Sequence, residues 1–396
     1  MCGTVVGPVA LLASLLIVKD QLGMRQYGVV ELYLAMGTMV ATIAMWGQDS
    51  FMAREVIKIA ESKTDTAFAE FQKAGLVVIG LVLLMVTLFG ILKVSAFQLT
   101  GTNLLLIIFF GSSWGLFSLL KVYLRVLGDV VSFFALTIFQ ASTLLVIILT
   151  GIADTPEKVV WTYVFSMIAP CMLLGLPQPL KNEFKKMIPD NLRARFLFGV
   201  NFALGSGAYT GARYLEREIL FRNLGAIAVG EYSLHWRICS IILLIEQAVS
   251  ALIMPKILDK RLSNSQVMET LFFALAPVAA TTIILIFAVR VFHDVIGLDG
   301  LSPETIMLPA ISTCVYSFGV IISMRMHAYG KSGVNIIGAS LQISVLVIAF
   351  YFINVDSIHQ VFLIQLLAMT VDFCVRSGIT ITHMSGIKIR ESSNSR

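Results

Sequence analysis

The chain has 396 residues, of which 57% are hydrophobic and only 13% are charged, and its formal net charge is +5. Soluble domains carry about 25% charged residues, so this composition excludes an ordinary soluble protein and indicates a polytopic helical membrane protein. Loop lysines and arginines that collect on one side of a membrane account for a small positive charge. The charge therefore gives no reason to expect a nucleic-acid partner.

Apolar stretches of about 20 residues, long enough to cross a bilayer as a helix, recur along the whole chain. Twelve such spans are predicted, at 2–19, 29–47, 74–95, 103–121, 130–150, 159–178, 196–222, 231–254, 269–292, 305–325, 332–353 and 358–382. The first span has no basic leader and no small-residue cleavage site, so we interpret it as a membrane helix rather than a removed signal. Only Met1 precedes it, and the true start of the protein could lie upstream.

The basic residues of the loops are distributed unevenly. The even-numbered loops and the C-terminus hold most of the 29 lysines and arginines, which places both termini in the cytoplasm. The polar connection Leu180–Arg195 is interpreted as a linker between the two halves, and binding of lipid head groups by its basic residues is the alternative. The basic tail at the C-terminus is expected to be disordered. The predicted organisation is an N-terminal six-helix bundle at 1–179, a cytoplasmic linker at 180–195, a C-terminal six-helix bundle at 196–386 and a cytoplasmic tail at 387–396.

An internal repeat supports two halves. Leu22, Gly23 and Gly28 recur 202 residues later as Leu224, Gly225 and Gly230. When the sequence is aligned with itself at this shift of 202 residues, further identical residues coincide. They are Gly128 with Gly330, Gln140 with Gln342, Ser142 with Ser344 and Leu144 with Leu346. An offset of six helices preserves orientation, so the halves would be parallel repeats with a substrate site between them. Two unrelated six-helix bundles with coincident glycines are the alternative.

Span 7 is unusually charged for a membrane helix. Its polar residues recur with helical spacing on one face, and they are Ser206, Tyr209, Thr210, Arg213, Glu216 and Arg217. An ionisable side chain inside a bilayer costs roughly 2.5–3.5 kcal/mol on insertion scales, so this face should meet protein or a water-filled cavity. Two alternatives remain open. The helix could end near Tyr209 and leave a solvated loop, or the charges could form purely structural pairs, Arg213 with Glu216 and Arg217 with Glu218.

Ionisable residues also occur in spans 2, 8 and 12. In span 8, Glu231, His235 and Glu246 share one helical face and are candidates for a coupling-ion site, whereas Arg237 lies on the opposite face. A structural role for His235 and a paired or protonated Glu246 are the alternatives. Glu31, at the start of span 2, is interpreted as interfacial. Asp372 and Arg376 in span 12 have the i, i+4 spacing of a pair that neutralises itself.

No reaction centre is evident from the sequence. There is no Walker A loop, HExxH motif or CxxC motif, and the loops are too short for a catalytic domain. The five cysteines are scattered through apolar runs without paired spacing, which argues against a disulfide framework and against a metal site. We therefore expect a transporter rather than an enzyme, with no cofactor and no catalytic residue.

Several short motifs resemble those of the Wzx-type polysaccharide flippases, which belong to the multidrug/oligosaccharidyl-lipid/polysaccharide exporter superfamily. Leu22-Gly23, Tyr27-Gly28, Gly47 and Arg54 are similar to the first helical hairpin of that family. The junction of spans 7 and 8 is also similar, with Glu216-Arg217, Leu224-Gly225, Val229-Gly230, Tyr232-Ser233 and then Pro255. The chain departs from the family in having Glu216 in place of the more usual Asp, no N-terminal leader and a more charged span 7.

The resemblance implies a MATE/flippase-like fold and the export of an undecaprenyl-diphosphate-linked oligosaccharide across the bacterial cytoplasmic membrane. The substrate would be the repeat unit of an O-antigen, capsule or exopolysaccharide. The partners would be membrane lipids, a polysaccharide polymerase and a chain-length regulator. Guanidinium groups match phosphate oxygens bidentately, so the expected substrate-binding residues are Arg213, Arg217 and Arg237, with Glu216 and Tyr209.

Three other functions are weighed against this one. A cation-coupled multidrug exporter of the same superfamily would use acidic residues such as Glu31, Glu231 and Glu246. A major-facilitator carrier would have a Gly-x3-Asp-Arg/Lys-x-Gly motif after its second helix, but the chain reads QDSFMAREVIKIAESK there. A non-transporting assembly protein is the third alternative, and only a translocation assay separates it from a flippase.

Overall fold

A computed structural model of the chain describes residues 2–48, 51, 64–92, 101–126, 129–175, 192–258, 264–296, 302–328 and 333–394. Within those ranges the protein is helical with short turns and has no strand, so the predicted all-α class is confirmed. The helices are α1 (Cys2–Met45), α2 (Thr64–Leu92), α3 (Gly101–Val126), α4 (Val130–Leu149), α5 (Pro156–Gly175), α6 (Leu192–Leu224), α7 (Ala226–Leu258), α8 (Asn264–Ile296), α9 (Met307–Ala328), α10 (Gly333–Phe352) and α11 (Ile358–Asn394).

Helix α1 contains both of the first two predicted spans. Its chain bends at Gly23, where φ is 76° and ψ is 162°, a backbone conformation that is essentially open to glycine alone. The predicted loop between spans 1 and 2 is therefore wrong, because residues on both sides of Gly23 remain helical and a single glycine makes the turn. When the two arms of α1 are counted separately, the described helices supply the predicted twelve segments.

Helix α6 corresponds to span 7 and runs without interruption to Leu224. The alternative in which it ends near Tyr209 is therefore excluded. The helical conformation is interrupted at Gly225, where φ is 85°. The Gly225 N–H donates to the Leu220 and Phe221 carbonyls at 3.1 Å. Gly23 and Gly225 thus adopt similar positive φ angles at the repeat offset.

Another pair of helices begins at positions that differ by the same 202 residues. Pro156 and Ile358, which begin α5 and α11, are 202 residues apart. Leu144 and Leu346, which the offset superimposes, are both fully buried. Gly128 and Gly330 lie outside the described residues, so the structure says nothing about that part of the repeat.

Contacts divide the chain into two compact units, Met1–Gly230 and Glu231–Arg396. In the first unit, α1 packs against α2, α3, α4, α5 and α6 around buried side chains such as Tyr27 and Phe110. In the second unit, α11 packs against α9 and α10. The predicted halves, 1–179 and 196–386, stay a prediction from the repeat, and most of the linker at 180–195 lies outside the described part of the chain.

The composition of the helices suits a bilayer. Eight described stretches are long and apolar enough to cross one, and they are Leu12–Met45, Glu70–Ile91, Asn103–Leu124, Val131–Leu149, Ala226–Ser250, Gln266–Val291, Met307–Met324 and Ile358–Thr382. Large apolar side chains such as Leu84, Phe272 and Phe287 are exposed on them, as expected of lipid-facing residues. The protein is thus a multi-pass membrane protein. Helix α11 continues to Asn394, so the predicted disorder of the tail is wrong up to that residue.

Candidate functional site

The candidate site lies where the second arm of α1 runs antiparallel to α6. Small residues at four-residue spacing, Gly199, Ala203, Gly207 and Gly211, follow one side of α6, a pattern that lets membrane helices approach closely. A Cβ added to Gly207 would lie 2.8 Å from Ile43 Cγ1. The Trp46 Nε1–H donates to the Phe196 carbonyl at 2.9 Å. These contacts fix α6 against α1 over several turns.

A second close contact lies between α1 and the first turns of α7. Gly28 packs against the Ala226 carbonyl, and a Cβ on Gly230 would lie 2.6 Å from the Met24 carbonyl oxygen. Ala226 is the repeat equivalent of Met24, and Gly230 is that of Gly28. The two contacts are therefore reciprocal under the repeat, as contacts across a two-fold axis are. The glycines that revealed the repeat are required because a side chain at either position would overlap backbone.

The charged residues of α6 lie between these two close contacts. Arg213, Glu216 and Arg217 on α6 form a cluster with Glu31 on α1, which we call the charge cluster. The Glu31 and Glu216 side chains are 0% exposed, Arg217 is 8% exposed and Arg213 is 11% exposed. The predicted polar stripe of span 7 is thus largely buried against α1, and Arg213 is its most accessible charge.

Each arginine of the charge cluster is paired with a carboxylate. Arg213 Nη1 lies 3.2 Å from Glu216 Oε2, and Arg213 Nη2 donates to the Tyr209 hydroxyl at 3.4 Å. Arg217 Nη2 lies 3.6 Å from Glu31 Oε2, and Arg217 Nη1 donates to the Arg213 carbonyl at 3.1 Å. The cluster is therefore formally neutral, which lowers the cost of burying four charges.

The structure shows one of the two predicted local pairs directly, between Arg213 and Glu216. Arg217 contacts Glu31 across the helix interface. Glu218 binds Arg222 at 3.0 Å and accepts a hydrogen bond from the Tyr214 hydroxyl. Glu31 was predicted only as an interfacial residue of span 2 and as an acidic ligand in the multidrug alternative, so sequence reasoning missed its place in the charge cluster. The i, i+4 spacing of Tyr27 and Glu31, whose side chains are hydrogen-bonded at 3.2 Å, was the signal that could have identified it.

A more accessible polar face continues from the charge cluster along α6. Tyr209 and Thr210 are half-buried, and Ser206 is exposed. The Arg213 guanidinium lies 5.1 Å from the centre of the Tyr209 ring. The predicted ligands Arg213, Tyr209 and Glu216 are thus brought together, with Arg217 in the next turn.

The predicted residues of α7 belong to the second unit and are spread along that helix. His235 Nδ1 bonds the Glu231 carbonyl at 2.7 Å, and His235 Nε2 accepts from the Ser302 N–H at 3.3 Å. This arrangement requires the proton on Nδ1 and describes a fully bonded histidine. Glu246 is buried and accepts from the Ser250 hydroxyl at 2.6 Å, about 16 Å further along the helix. Arg237 is half-buried, and the roles of all four residues stay predictions.

The predicted pair of span 12 is present. Arg376 Nε lies 2.6 Å from Asp372 Oδ1, both side chains are buried, and the guanidinium lies 6.0 Å from the Tyr316 ring centre. The pair packs against Gly338, so it joins α11 to α10. Among the described residues, no group of three His, Cys, Asp or Glu side chains could hold a metal ion.

Comparison of the sequence with known protein families and with curated proteins finds no match. Comparison of the structure does find similar proteins. An inward-facing MATE family multidrug resistance transporter of the MOP superfamily has a TM-score of 0.68 at 14% identity, covering 96% of this chain and 95% of the other. An outward-facing one has a TM-score of 0.61 at 12% identity, covering 98% and 95%. A variant of the Vibrio cholerae MATE transporter VcmN has a TM-score of 0.61 at 12% identity, covering 97% and 95%.

The chain has the fold of the MATE transporters. The match covers nearly the whole length of both proteins in each comparison, so the likeness extends over both units of the chain. The predicted MATE/flippase-like fold class is confirmed. At 12–14% identity the likeness concerns the fold, and the substrate has to be argued from the side chains of this chain.

Proposed function

We propose that this protein is a flippase that exports an undecaprenyl-diphosphate-linked oligosaccharide across the bacterial cytoplasmic membrane by alternating access. The observation that supports this proposal best is the charge cluster, which buries two arginines beside two glutamates in a MATE-type fold. Transport, rather than catalysis, is the activity proposed, and both termini are placed in the cytoplasm. The polymerase and the chain-length regulator of polysaccharide assembly remain the proposed protein partners.

The diphosphate of the substrate requires cations in the passage. A guanidinium group presents a planar fork of N–H donors that matches phosphate oxygens and remains charged at any physiological pH. Arg213 is the most accessible charge of the cluster, so we assign the first phosphate contact to it, with Arg217 next and Arg237 as a further candidate. In the empty state, Glu216 and Glu31 neutralise the two arginines of α6.

The sugar requires a polar path. Each hydroxyl left without a partner in hydrocarbon costs several kcal/mol, and a repeat unit carries many hydroxyls. The face of Ser206, Tyr209 and Thr210 on α6 offers hydroxyl groups beside Arg213. The prenyl tail can remain in lipid throughout. Outward movement of the anionic head group is also favoured by the membrane potential, by about 2.3 kcal/mol per charge per 100 mV.

A cation-coupled multidrug exporter is the second candidate, because similar folds belong to multidrug resistance transporters. Such a protein would bind an organic cation through Glu31, Glu231 or Glu246. In this structure Glu31 is held by Arg217 and Tyr27, and a cationic drug would have to displace that arginine. The positively charged side chains next to the accessible face of α6 therefore favour an anionic substrate.

Reconstitution separates the two candidates. Proteoliposomes that contain the purified protein and a fluorescent undecaprenyl-diphosphate-linked oligosaccharide should show translocation of the glycan, measured by its accessibility to an external lectin or quencher. Parallel vesicles loaded with ethidium should show no protein-dependent efflux. Ethidium efflux without glycan translocation would contradict the proposal and support the multidrug alternative.

A further inference from the structure

The core between α9, α10 and α11 contains buried polar atoms that have no hydrogen-bond partner among the described residues. Gln342 on α10 is 1% exposed, and neither its Nε2 nor its Oε1 is bonded to a described residue. Asp372 on α11 is 0% exposed. Its Oδ1 lies 2.6 Å from Arg376 Nε, whereas its Oδ2 has no partner in the described part of the chain. Buried polar atoms in folded proteins are nearly always bonded, either to protein or to an ordered water.

Gln342 lies beside the Asp372 carboxylate. A Cβ on Gly338 would overlap Asp372 Oδ1, and Gln342 follows Gly338 by one turn on the same face of α10. Helices α10 and α11 pack together and are joined by a short turn, so they run antiparallel, and the step from Gly338 to Gln342 leads toward the start of α11. Side chains lean toward the start of their own helix, which directs Asp372 Oδ2 toward Gln342. Because the two groups are not bonded to each other, the gap between them is wider than one direct hydrogen bond.

The equivalent place in the first unit is built from apolar residues. Three positions of the polar core have apolar counterparts at the repeat offset, with Gly319 corresponding to Phe117, Gly338 to Leu136 and Asp372 to Pro170. All three apolar counterparts are buried. In the second unit, Gly319 and Gly338 both pack on the Arg376 side chain, so two glycines make room for an ion pair. Helix packing at this place therefore does not require charge, and burying a charged pair there is costly unless its polar atoms are bonded.

We propose that the second unit contains an internal water site between Gln342 and Asp372. The atoms around the gap include one donor, Gln342 Nε2, and two acceptors, Gln342 Oε1 and Asp372 Oδ2. Water is the small ligand that can both donate and accept hydrogen bonds, and buried waters typically make about three of them. A metal ion at this place would face the guanidinium of Arg376, which is 2.6 Å from the same carboxylate, and an anion would face the carboxylate itself.

The water completes the hydrogen bonding of the ion pair. One oxygen of Asp372 holds Arg376, and the other accepts from the water, which also bonds the Gln342 amide. Helix α10 is thereby joined to α11 through an exchangeable molecule as well as by direct packing. The first unit, with Leu136 and Pro170 at the equivalent positions, should be dry at this place.

Two buried methionines provide a matched test. Met369 lies one turn before Asp372 on α11, Met167 on α5 is its equivalent at the repeat offset, and both are 0% exposed. X-ray radiolysis of the full chain in nanodiscs, in water labelled with heavy oxygen, generates hydroxyl radicals from bound water, which oxidise an adjacent methionine to its sulfoxide. Mass spectrometry then measures the incorporation of heavy oxygen at each methionine. Met369 should be oxidised several times faster than Met167.

A variant and its matched control locate the water. Gln342→Leu removes the amide and keeps a side chain of similar size, so oxidation of Met369 should fall to the rate of Met167. Gln140→Leu is the matched control, because Gln140 is the repeat equivalent of Gln342 and is half-buried in the first unit. It should leave both oxidation rates as they are in wild-type protein.

Two results would overturn the inference. Equal oxidation of Met369 and Met167 in wild-type protein would show that the core of the second unit is dry, and this comparison does not need any variant to fold. Fast oxidation of Met369 that persists in Gln342→Leu would show that its water is held elsewhere. If that variant does not fold, an experimental structure decides, with an ordered water expected at about 2.7–3.2 Å from both Gln342 and Asp372 and a dry gap contradicting the site. None of these results depends on the substrate, so they leave the flippase proposal to its own test.

Discussion

Burial of the Glu31–Arg217 pair gives the first prediction at the residue scale. Glu31→Ala or Arg217→Ala leaves one buried charge without its counter-charge, which typically costs 3–5 kcal/mol. We expect either single variant to lower the free energy of unfolding by about that amount, measured by denaturant unfolding in detergent. The double variant Glu31→Gln, Arg217→Gln should recover most of the loss, because it removes both charges.

Arg222 provides the control for this prediction. Its side chain is 50% exposed although it pairs with the buried Glu218, and exposed pairs contribute about 0–1 kcal/mol. Arg222→Ala should therefore change stability by less than about 1 kcal/mol. An equal loss for Arg222→Ala and Arg217→Ala would mean that burial of the cluster does not determine its energetics.

A loop carboxylate gives the second prediction. Asp129 caps α4, and its carboxylate accepts from the Ser132 N–H at 3.0 Å. Hydrogen bonds from Ser132, side chain and backbone, hold the pKa of Asp129 below its ordinary value of 3.8. A depressed pKa in the folded state means that the stabilisation is present above pH 3.8 and is lost as pH falls through the folded-state pKa.

Asp129→Ala should therefore lower the Tm at neutral pH, and the difference from wild type should shrink as the pH falls below 3.8. The matched variant is Asp129→Asn, which keeps a capping acceptor and does not titrate. Its Tm at neutral pH should lie between those of wild type and Asp129→Ala, because Asn keeps the acceptor but lacks the charge. A Tm difference for Asp129→Ala that is independent of pH would show that the charge of the cap contributes nothing.

At the scale of elements, the contact between α1 and α6 depends on glycines that differ in their surroundings. A Cβ at Gly207 would meet Ile43 at 2.8 Å, whereas a Cβ at Gly205 has no neighbour within 4 Å. We expect Gly207→Ala to destabilise the protein, and Gly205→Ala to be neutral or stabilising by up to about 1 kcal/mol through helix propensity. Thermal unfolding of both variants measures the difference. Equal effects would contradict close packing of α6 on α1.

Local patterns predicted some of these contacts and not others. The helical spacing of Arg213 and Glu216 offered their pairing as one alternative, because residues three apart on one helix are neighbours, and the structure contains that pair. The partner of Arg217 depends on which helix packs against α6, and no spacing within span 7 contains that information. The sequence predicted separate helices on either side of residues 20–28, whereas here a single positive φ at Gly23 bends a chain that is helical on both sides.

At the scale of the whole molecule, composition and the length of apolar runs were enough to predict an all-α membrane protein with twelve segments. The two glycines that the offset of 202 residues relates, Gly23 and Gly225, both have positive φ angles, and comparison with solved structures then confirmed the MATE-like fold. Substrate identity is not predictable in this way, because proteins with one fold differ in the side chains that line the passage.

Membrane topology can be tested directly. A C-terminal fusion to green fluorescent protein should fluoresce, and a C-terminal fusion to alkaline phosphatase should be inactive, because most basic loops place the C-terminus in the cytoplasm. Alkaline phosphatase fused within the turn at Gly151, between α4 and α5, should be active. The opposite pattern would invert the protein and reverse the proposed direction of transport.

The central claim is that Arg213 faces a hydrated passage and binds the diphosphate of the substrate. The most direct measurement is the rate of glycan translocation in proteoliposomes for wild type, Arg213→Gln and the exposed-site control Arg222→Gln, at equal amounts of folded protein. Loss of one charge-assisted contact to phosphate is worth about 1.5–3 kcal/mol, so translocation by Arg213→Gln should fall about tenfold or more. The Arg222→Gln variant should retain the wild-type rate. A wild-type rate for Arg213→Gln would contradict the account.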